Sequence, residues 1–203
     1  PPPIDRLCKR TRTAMARFLP HCELGPSEPG RYAFAVIGDS HSRALAAAIG
    51  DVARGVGAKG LYLGRVACPP LLGLDRYGAG DWRCAEHFDW AMRRIAEENI
   101  GTVIVVARWG VVLPPASYGN ERVADLRYAR DGHEIPRDRL AAEVEAGLRA
   151  TFDGLAGRRV VVLFSIPEIG FDVPMVLAAS ARFGWTPPAA PDRAAYEARQ
   201  KRA

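Results

Sequence analysis

Apolar and polar positions alternate along these 203 residues between short solid runs and longer periodic ones. Tyr32-Ala33-Phe34-Ala35-Val36-Ile37 is an uncharged, mostly apolar run, which predicts a buried strand. After Gly38-Asp39-Ser40-His41 comes a helical pattern over about residues 41 to 54. Leu45, Ala48, Ile49, Val52 and Val56 recur on one face of it, and Gly55 and Gly57 stop it. Residues 60 to 67 predict a second strand, which must leave the sheet at Cys68-Pro69-Pro70 because proline cannot continue a ladder. Residues 84 to 99 read as a helix with Phe88, Met92 and Ile95 on one side, and 102 to 106 as a buried β-branched strand. A further helix over 138 to 155 carries Leu140, Val144, Leu148 and Phe152 at intervals of four, and residues 158 to 165 form the clearest strand. Short helices are expected at 174 to 181 and 192 to 202.

Strand and helix alternate, and parallel neighbours need crossovers. The expected fold is therefore a three-layer α/β/α sandwich on a parallel sheet, with its site at the carboxyl ends of the strands. Four strands of that sheet are visible. Residues 1 to 30, rich in proline and turn formers, read as an arm or linker with one short helix over 11 to 19. Residues 31 to 203 read as the domain, with 114 to 136 as a lid or insertion.

At 48% hydrophobic residues, the chain can bury one substantial core. No apolar run approaches a membrane span, and Pro1-Pro2-Pro3-Ile4-Asp5-Arg6 has no signal-peptide pattern. The net charge of +5 comes from arginines spread along the chain without interleaved aromatics, which argues against nucleic acid as a partner. Four cysteines with neither a C-x-x-C pair nor finger-spaced histidines point to disulfides rather than to a metal. Three pairings are possible. Cys8–Cys22 with Cys68–Cys84 is favoured, because each closes a short loop, and it implies an oxidising compartment such as a periplasm.

The chemistry concentrates at Ser40, where a strand hands over to a helix. The first helical N–H groups have no intrahelical partner and carry the positive end of the dipole, so negative charge beside Ser40 is stabilised. A hydroxyl there can act as a nucleophile while its own N–H faces the oxyanion it creates, although Asp39 or Ser40 could equally serve as a plain helix cap.

Gly38-Asp39-Ser40-His41 resembles the first signature block of the SGNH hydrolases, and more closely that of SGNH domains fused to membrane acyltransferases of acyltransferase family three. Ala67-Cys68-Pro69-Pro70-Leu71-Leu72-Gly73, Val106-Ala107-Arg108-Trp109 and Ile166-Pro167-Glu168-Ile169-Gly170-Phe171-Asp172-Val173-Pro174 carry the same resemblance, from about Cys8 to about Phe183. It implies Ser40 as nucleophile and the N–H groups of Ser40 and Gly73 as oxyanion donors, with Gly64 a weaker competitor for Gly73. Where the superfamily has Gly-x-Asn as a third donor, this chain has Arg108-Trp109-Gly110. Arg108 is then a candidate cationic donor and Trp109 an apolar or sugar-stacking wall. Asp39 and His41 are expected to support the site from behind, and Asn120 lies too far along to replace the missing asparagine.

The family's Asp-x-x-His, which supplies base and acid, does not occur in these residues, so the final strand and that segment are expected further along a parent chain. Among His21, His41, His87 and His133 none makes a convincing base. His41 points away from its neighbour, His87 reads as a solvated or partly packed helix residue, and only His133 has some chance of reaching a cleft. The implied function is transfer of an acyl group, acetyl by expectation, to a bacterial cell-surface polysaccharide. It needs no cofactor, and the partner is a membrane acyltransferase domain of the same parent, which tethers the chain outside the cytoplasm. Two other readings use the same residues: a non-catalytic glycan-binding or docking module with a degenerate fold, and a flavodoxin-like anion binder. The second is weakened by the lack of a Gly-x-Gly-x-x-Gly or Gly-Lys-Ser/Thr pattern.

Overall fold

The structure, a computed structural model, describes residues 22–78, 83–114, 125–165 and 168–201. The chain divides into two compact units. The first comprises residues 1–108 and 127–164, and the second residues 109–126 and 165–203.

The first unit is built on a five-stranded sheet. Its strands are β1 (Cys22–Leu24), β2 (Phe34–Gly38), β3 (Gly60–Tyr62), β5 (Thr102–Val106) and β8 (Arg159–Leu163), in the spatial order β1-β3-β2-β5-β8. β3, β2, β5 and β8 are parallel, as the alternation of strands and helices requires. β1 is the exception. It comes from the arm and pairs antiparallel with β3, Cys22 opposite Tyr62. Three residues are too few to show a strand period, so sequence pattern alone could not reveal it.

The helices of this unit are α1 (Ser40–Gly55), α2 (Cys84–Glu97) and α3 (Arg137–Gly154). The expected apolar stripe of α1 is not the stripe it buries. Ser42, Ala46, Gly50 and Ala53 face inward, while Val52 and Val56 are 69% and 73% exposed. Small side chains let the helix lie close to the sheet, with Gly50 against Leu24. The larger aliphatics then flank the contact and, with Phe34, Thr102 and Ile104, border an open apolar groove of about 520 Å³. The core on this side joins Cys22, Leu24, Phe34, Val36, Ala46, Ala53, Tyr62 and Val106.

A second, antiparallel sheet of β4 (Asp75–Arg76), β6 (Tyr128–Arg130) and β7 (His133–Glu134) occupies part of what the sequence presents as an irregular insertion. Asp131 and Gly132 turn the β6–β7 hairpin with positive φ, the conformation such a tight connection demands. Asp75 also accepts the Ala85 N–H at 2.9 Å and so caps α2, whose own N-cap residue Arg83 makes no side-chain capping bond.

The second unit contains a 3-10 turn (Trp109–Val111), α4 (Val173–Phe183) and α5 (Arg193–Gln200). Asp172 caps α4, Gly184 ends it in the left-handed conformation, and Asp192 caps α5. The nearly buried Arg199 binds this unit together, donating to the Gly110 carbonyl at 3.4 Å and pairing with Glu168 at 2.8 Å. Among the described residues no helix is long and apolar enough to cross a membrane.

Candidate active site

Three local features place Ser40 at the carboxyl end of the central strand with its side chain open. β2 ends at Gly38, whose φ of +142° and close approach to β5 exclude any other residue, because a Cβ there would fall on the Val106 carbonyl. Asp39 then leaves the strand as the N-cap of α1, its carboxylate accepting the His41 N–H at 2.8 Å. Ser40 follows as the first helical residue and is exposed, and its N–H and hydroxyl have no partner among the described residues. An unpaired N–H at the positive end of a helix, beside an accessible hydroxyl, is what an attacking serine requires.

Asp39 is 6% exposed and does more than cap. Its second oxygen accepts the backbone N–H of Arg108 at 2.9 Å, and the Asp39 N–H donates to the Val106 carbonyl at 3.3 Å. Burial pushes the Asp39 carboxyl above its ordinary range, opposed by the N–H groups of Arg108 and His41. Beneath it, the buried Ser42 hydroxyl donates to the Asp39 carbonyl at 2.6 Å and meets the Tyr62 hydroxyl at 3.2 Å. The turn is thereby fixed from below while Ser40 stays free.

The loop leaving β3 runs beside this turn, with Leu63 N–H donating to the Val36 carbonyl and Arg65 N–H to the Gly38 carbonyl, both at 2.8 Å. Gly64 is buried, and a Cβ on it would press on the Ser42 and Tyr62 hydroxyls. Gly73, further along the loop, is exposed and holds φ +75°. Two anchors hold the stretch between them. Cys68 is joined to Cys84 at the start of α2, with Cα atoms 5.4 Å apart, as the favoured pairing has it. Cys22 is also in a disulfide, while its expected partner Cys8 lies outside the described residues. The second anchor of the loop comes from α3. The buried Thr151 hydroxyl offers its proton to the carbonyls of Pro70 and Gly147, both at 2.9 Å, and accepts the Leu72 N–H at 3.1 Å.

Arg108 reaches Asp39 through its main chain. Trp109 belongs to the second unit and is only 6% exposed, so its ring offers little surface for stacking a sugar. His87 is not solvated: it is 1% exposed, with Nε2 at 2.8 Å from the Leu63 carbonyl, and burial pulls its pKa down to about 4. Its place beside Phe88 on the inner face of α2, under the end of β3, accounts for this. His133 is exposed on β7. His21 and Asn120 lie outside the described residues.

Thr151, Arg130 and Glu143 escape a reading of the sequence. Arg130 on β6 donates through Nε to Glu143 of α3 at 3.0 Å, and its Nη1 lies against Gly73. A threonine inside a helical pattern and an arginine in an irregular stretch carry no local signal. Only the tertiary contact reveals them.

A family model described as the SGNH domain (fused to AT3 domains) matches residues 7–203. No curated protein matches the chain. Among solved structures, the chain is similar to the periplasmic domain of a lipopolysaccharide acetyltransferase from Salmonella ser. Paratyphi A, at a TM-score of 0.52 and 16% identity. The match covers 79% of this chain and 55% of that one, so the chain spans little more than half that domain's length, and the likeness is one of fold.

Proposed function

From the premise that the chain belongs to the family of SGNH domains fused to AT3 domains, we propose that it is the acyl-transferring module of a membrane-linked O-acyltransferase. The reaction is transfer of an acyl group, acetyl by preference, from a donor presented by the membrane domain to a hydroxyl of a cell-surface polysaccharide outside the cytoplasm. The supporting observation is Ser40 itself: an exposed hydroxyl at the first position of a helix whose leading N–H has no partner among the described residues, on a turn held by Asp39.

Ser40 Oγ attacks the donor carbonyl. A C–O bond forms as the carbonyl π electrons move onto oxygen, and the hydroxyl proton passes to a general base, for which the family's Asp-x-x-His is the expected source. The resulting oxyanion is held by the N–H of Ser40 and of Gly73, and its collapse expels the donor's leaving group and leaves the acyl group on Ser40. A glycan hydroxyl then repeats the addition at the acyl carbon, and Ser40 departs with its proton restored. The disulfide at Cys68–Cys84 suits an oxidising compartment.

The test compares Ser40→Ala with the unaltered protein, both in the full-length parent carrying the acyltransferase domain, by following acetyl release from an activated acetyl ester and acetylation of the surface polysaccharide. Loss of both activities is expected. Equal rates in the two proteins would reject Ser40 as nucleophile and favour a non-catalytic docking module.

A further inference from the structure

We infer that Arg130 supplies the third oxyanion-stabilising group of this site, in the role for which the residues after β5 provide no asparagine. The inference rests on the proposed use of the Gly73 N–H and extends it.

The placement follows from the small sheet. Tyr128 and Arg130 are two residues apart on β6, and Arg76 of β4 stands opposite Tyr128 in register, so all three side chains share one face. That face lies on the loop that leaves β3. Arg76 Nη1 donates to the Ala67 carbonyl at 3.3 Å, and a Cβ on Gly73 would stand 2.9 Å from Arg130 Nη1 and 3.9 Å from its Cζ. The Tyr128 hydroxyl on the same face is buried without a hydrogen-bond partner among the described residues. A glycine at position 73 therefore serves two ends: it tolerates the left-handed φ, and it lets a guanidinium lie against its main chain.

The guanidinium is also aimed. Glu143 takes Nε at 3.0 Å and is itself shared with Arg139 at 2.7 Å, which fixes the plane of Arg130 and leaves its Nη edge toward Gly73 without another partner among the described residues. With its side chain 40% exposed, Arg130 can meet a substrate oxygen. A permanent cation whose N–H groups lie against Gly73 favours the charge that develops on that oxygen only as the tetrahedral species forms. The guanidinium can replace an asparagine amide as the third donor.

The experiment measures steady-state hydrolysis of p-nitrophenyl acetate by the full-length protein and its Arg130→Gln, Arg130→Lys, Glu143→Gln and Ser40→Ala variants, with the thermal midpoint of each. This ester carries no anionic group and no glycan, so it isolates the oxyanion. Arg130→Gln is expected to lower kcat by about ten- to a hundredfold with KM within about twofold, the signature of an interaction made only in the transition state. Arg130→Lys should recover part of that loss, and Glu143→Gln, which keeps the cation but frees it, should fall between. If Arg130→Gln changes the midpoint, the comparison of Arg130→Lys with Glu143→Gln carries the decision. An unchanged kcat in the arginine variants, while Ser40→Ala is inactive, overturns the inference and leaves the serine reading intact. So does an effect confined to KM for the ester, which would make Arg130 a ground-state contact. Activity surviving in Ser40→Ala would bring down the serine reading and this inference together.

Discussion

The carboxylate of Asp39 holds the backbone N–H of Arg108 at 2.9 Å across 69 residues of sequence, and so ties the Ser40 turn to the end of β5. Because the other oxygen caps α1 through the His41 N–H, one buried side chain sets both the helix start and its distance from the neighbouring strand. Asp39→Asn keeps the shape but turns one acceptor into a donor facing an N–H, which is expected to cost about 1–3 kcal/mol. Asp39→Ser restores a helix cap but cannot reach Arg108. Urea unfolding should therefore find both variants destabilised, and acetyl release by the full-length protein should fall in both. Wild-type activity in Asp39→Ser would mean that the cross-strand tie does not position Ser40.

A second tie acts on the loop that carries Gly73. Thr151 is 1% exposed, and its hydroxyl serves the Pro70 carbonyl and the Leu72 N–H together. Thr151→Val preserves the volume and removes both bonds. The expected loss is about 1–3 kcal/mol, because the Pro70 carbonyl loses its donor, while the Leu72 N–H keeps the Gly147 carbonyl at 3.2 Å. Thr151→Ser keeps the hydroxyl and should stay closer to wild type. Amide hydrogen exchange at Leu72 and Leu74 should quicken in the valine variant and not in the serine one. Equal protection in both would show that the disulfide at Cys68 and the packing of the loop on Gly147 hold it unaided.

Much of this arrangement is legible in the sequence, and the boundary of legibility has a physical cause. Residues 32 to 37, 102 to 106 and 160 to 164 are mostly or wholly apolar runs, so their strands can be read directly, and Gly38-Asp39-Ser40 marks the corner where β2 gives way to α1. The pairing of Cys68 with Cys84 follows from a short loop. What resists reading is whatever depends on a contact between distant segments. The inward face of α1 is chosen by how closely Gly50 and Ala46 let the helix approach, not by which stripe is most apolar. β1 and the β4-β6-β7 sheet are too short to show a period. Arg130 acquires its meaning only from Gly73 and Glu143.

His87 sets a dependence on acidity that a solvated histidine would not produce. Burial pulls its pKa from 6.5 to about 4, and the nearby Arg65 cation works in the same direction, against the hydrogen bond to Leu63. The folded protein thus resists protonating a ring that the unfolded chain protonates readily. Its contribution is complete above pH 6.5 and is lost as the pH falls from there toward 4. At roughly 1.4 kcal/mol per unit, the whole window is worth about 3 kcal/mol. Asp39 slopes the other way, since a carboxyl raised by burial loses stability as the pH climbs above 3.8. The two are separable by variant. His87→Gln, whose amide can still donate to the Leu63 carbonyl, should flatten the acid limb of a plot of unfolding free energy against pH between 6.5 and 4, whereas Asp39→Asn should steepen it. A His87→Gln curve parallel to wild type across that window would mean that the imidazole takes up its proton without leaving the fold, and that its burial against Phe88 and the end of β3 does not govern stability in acid.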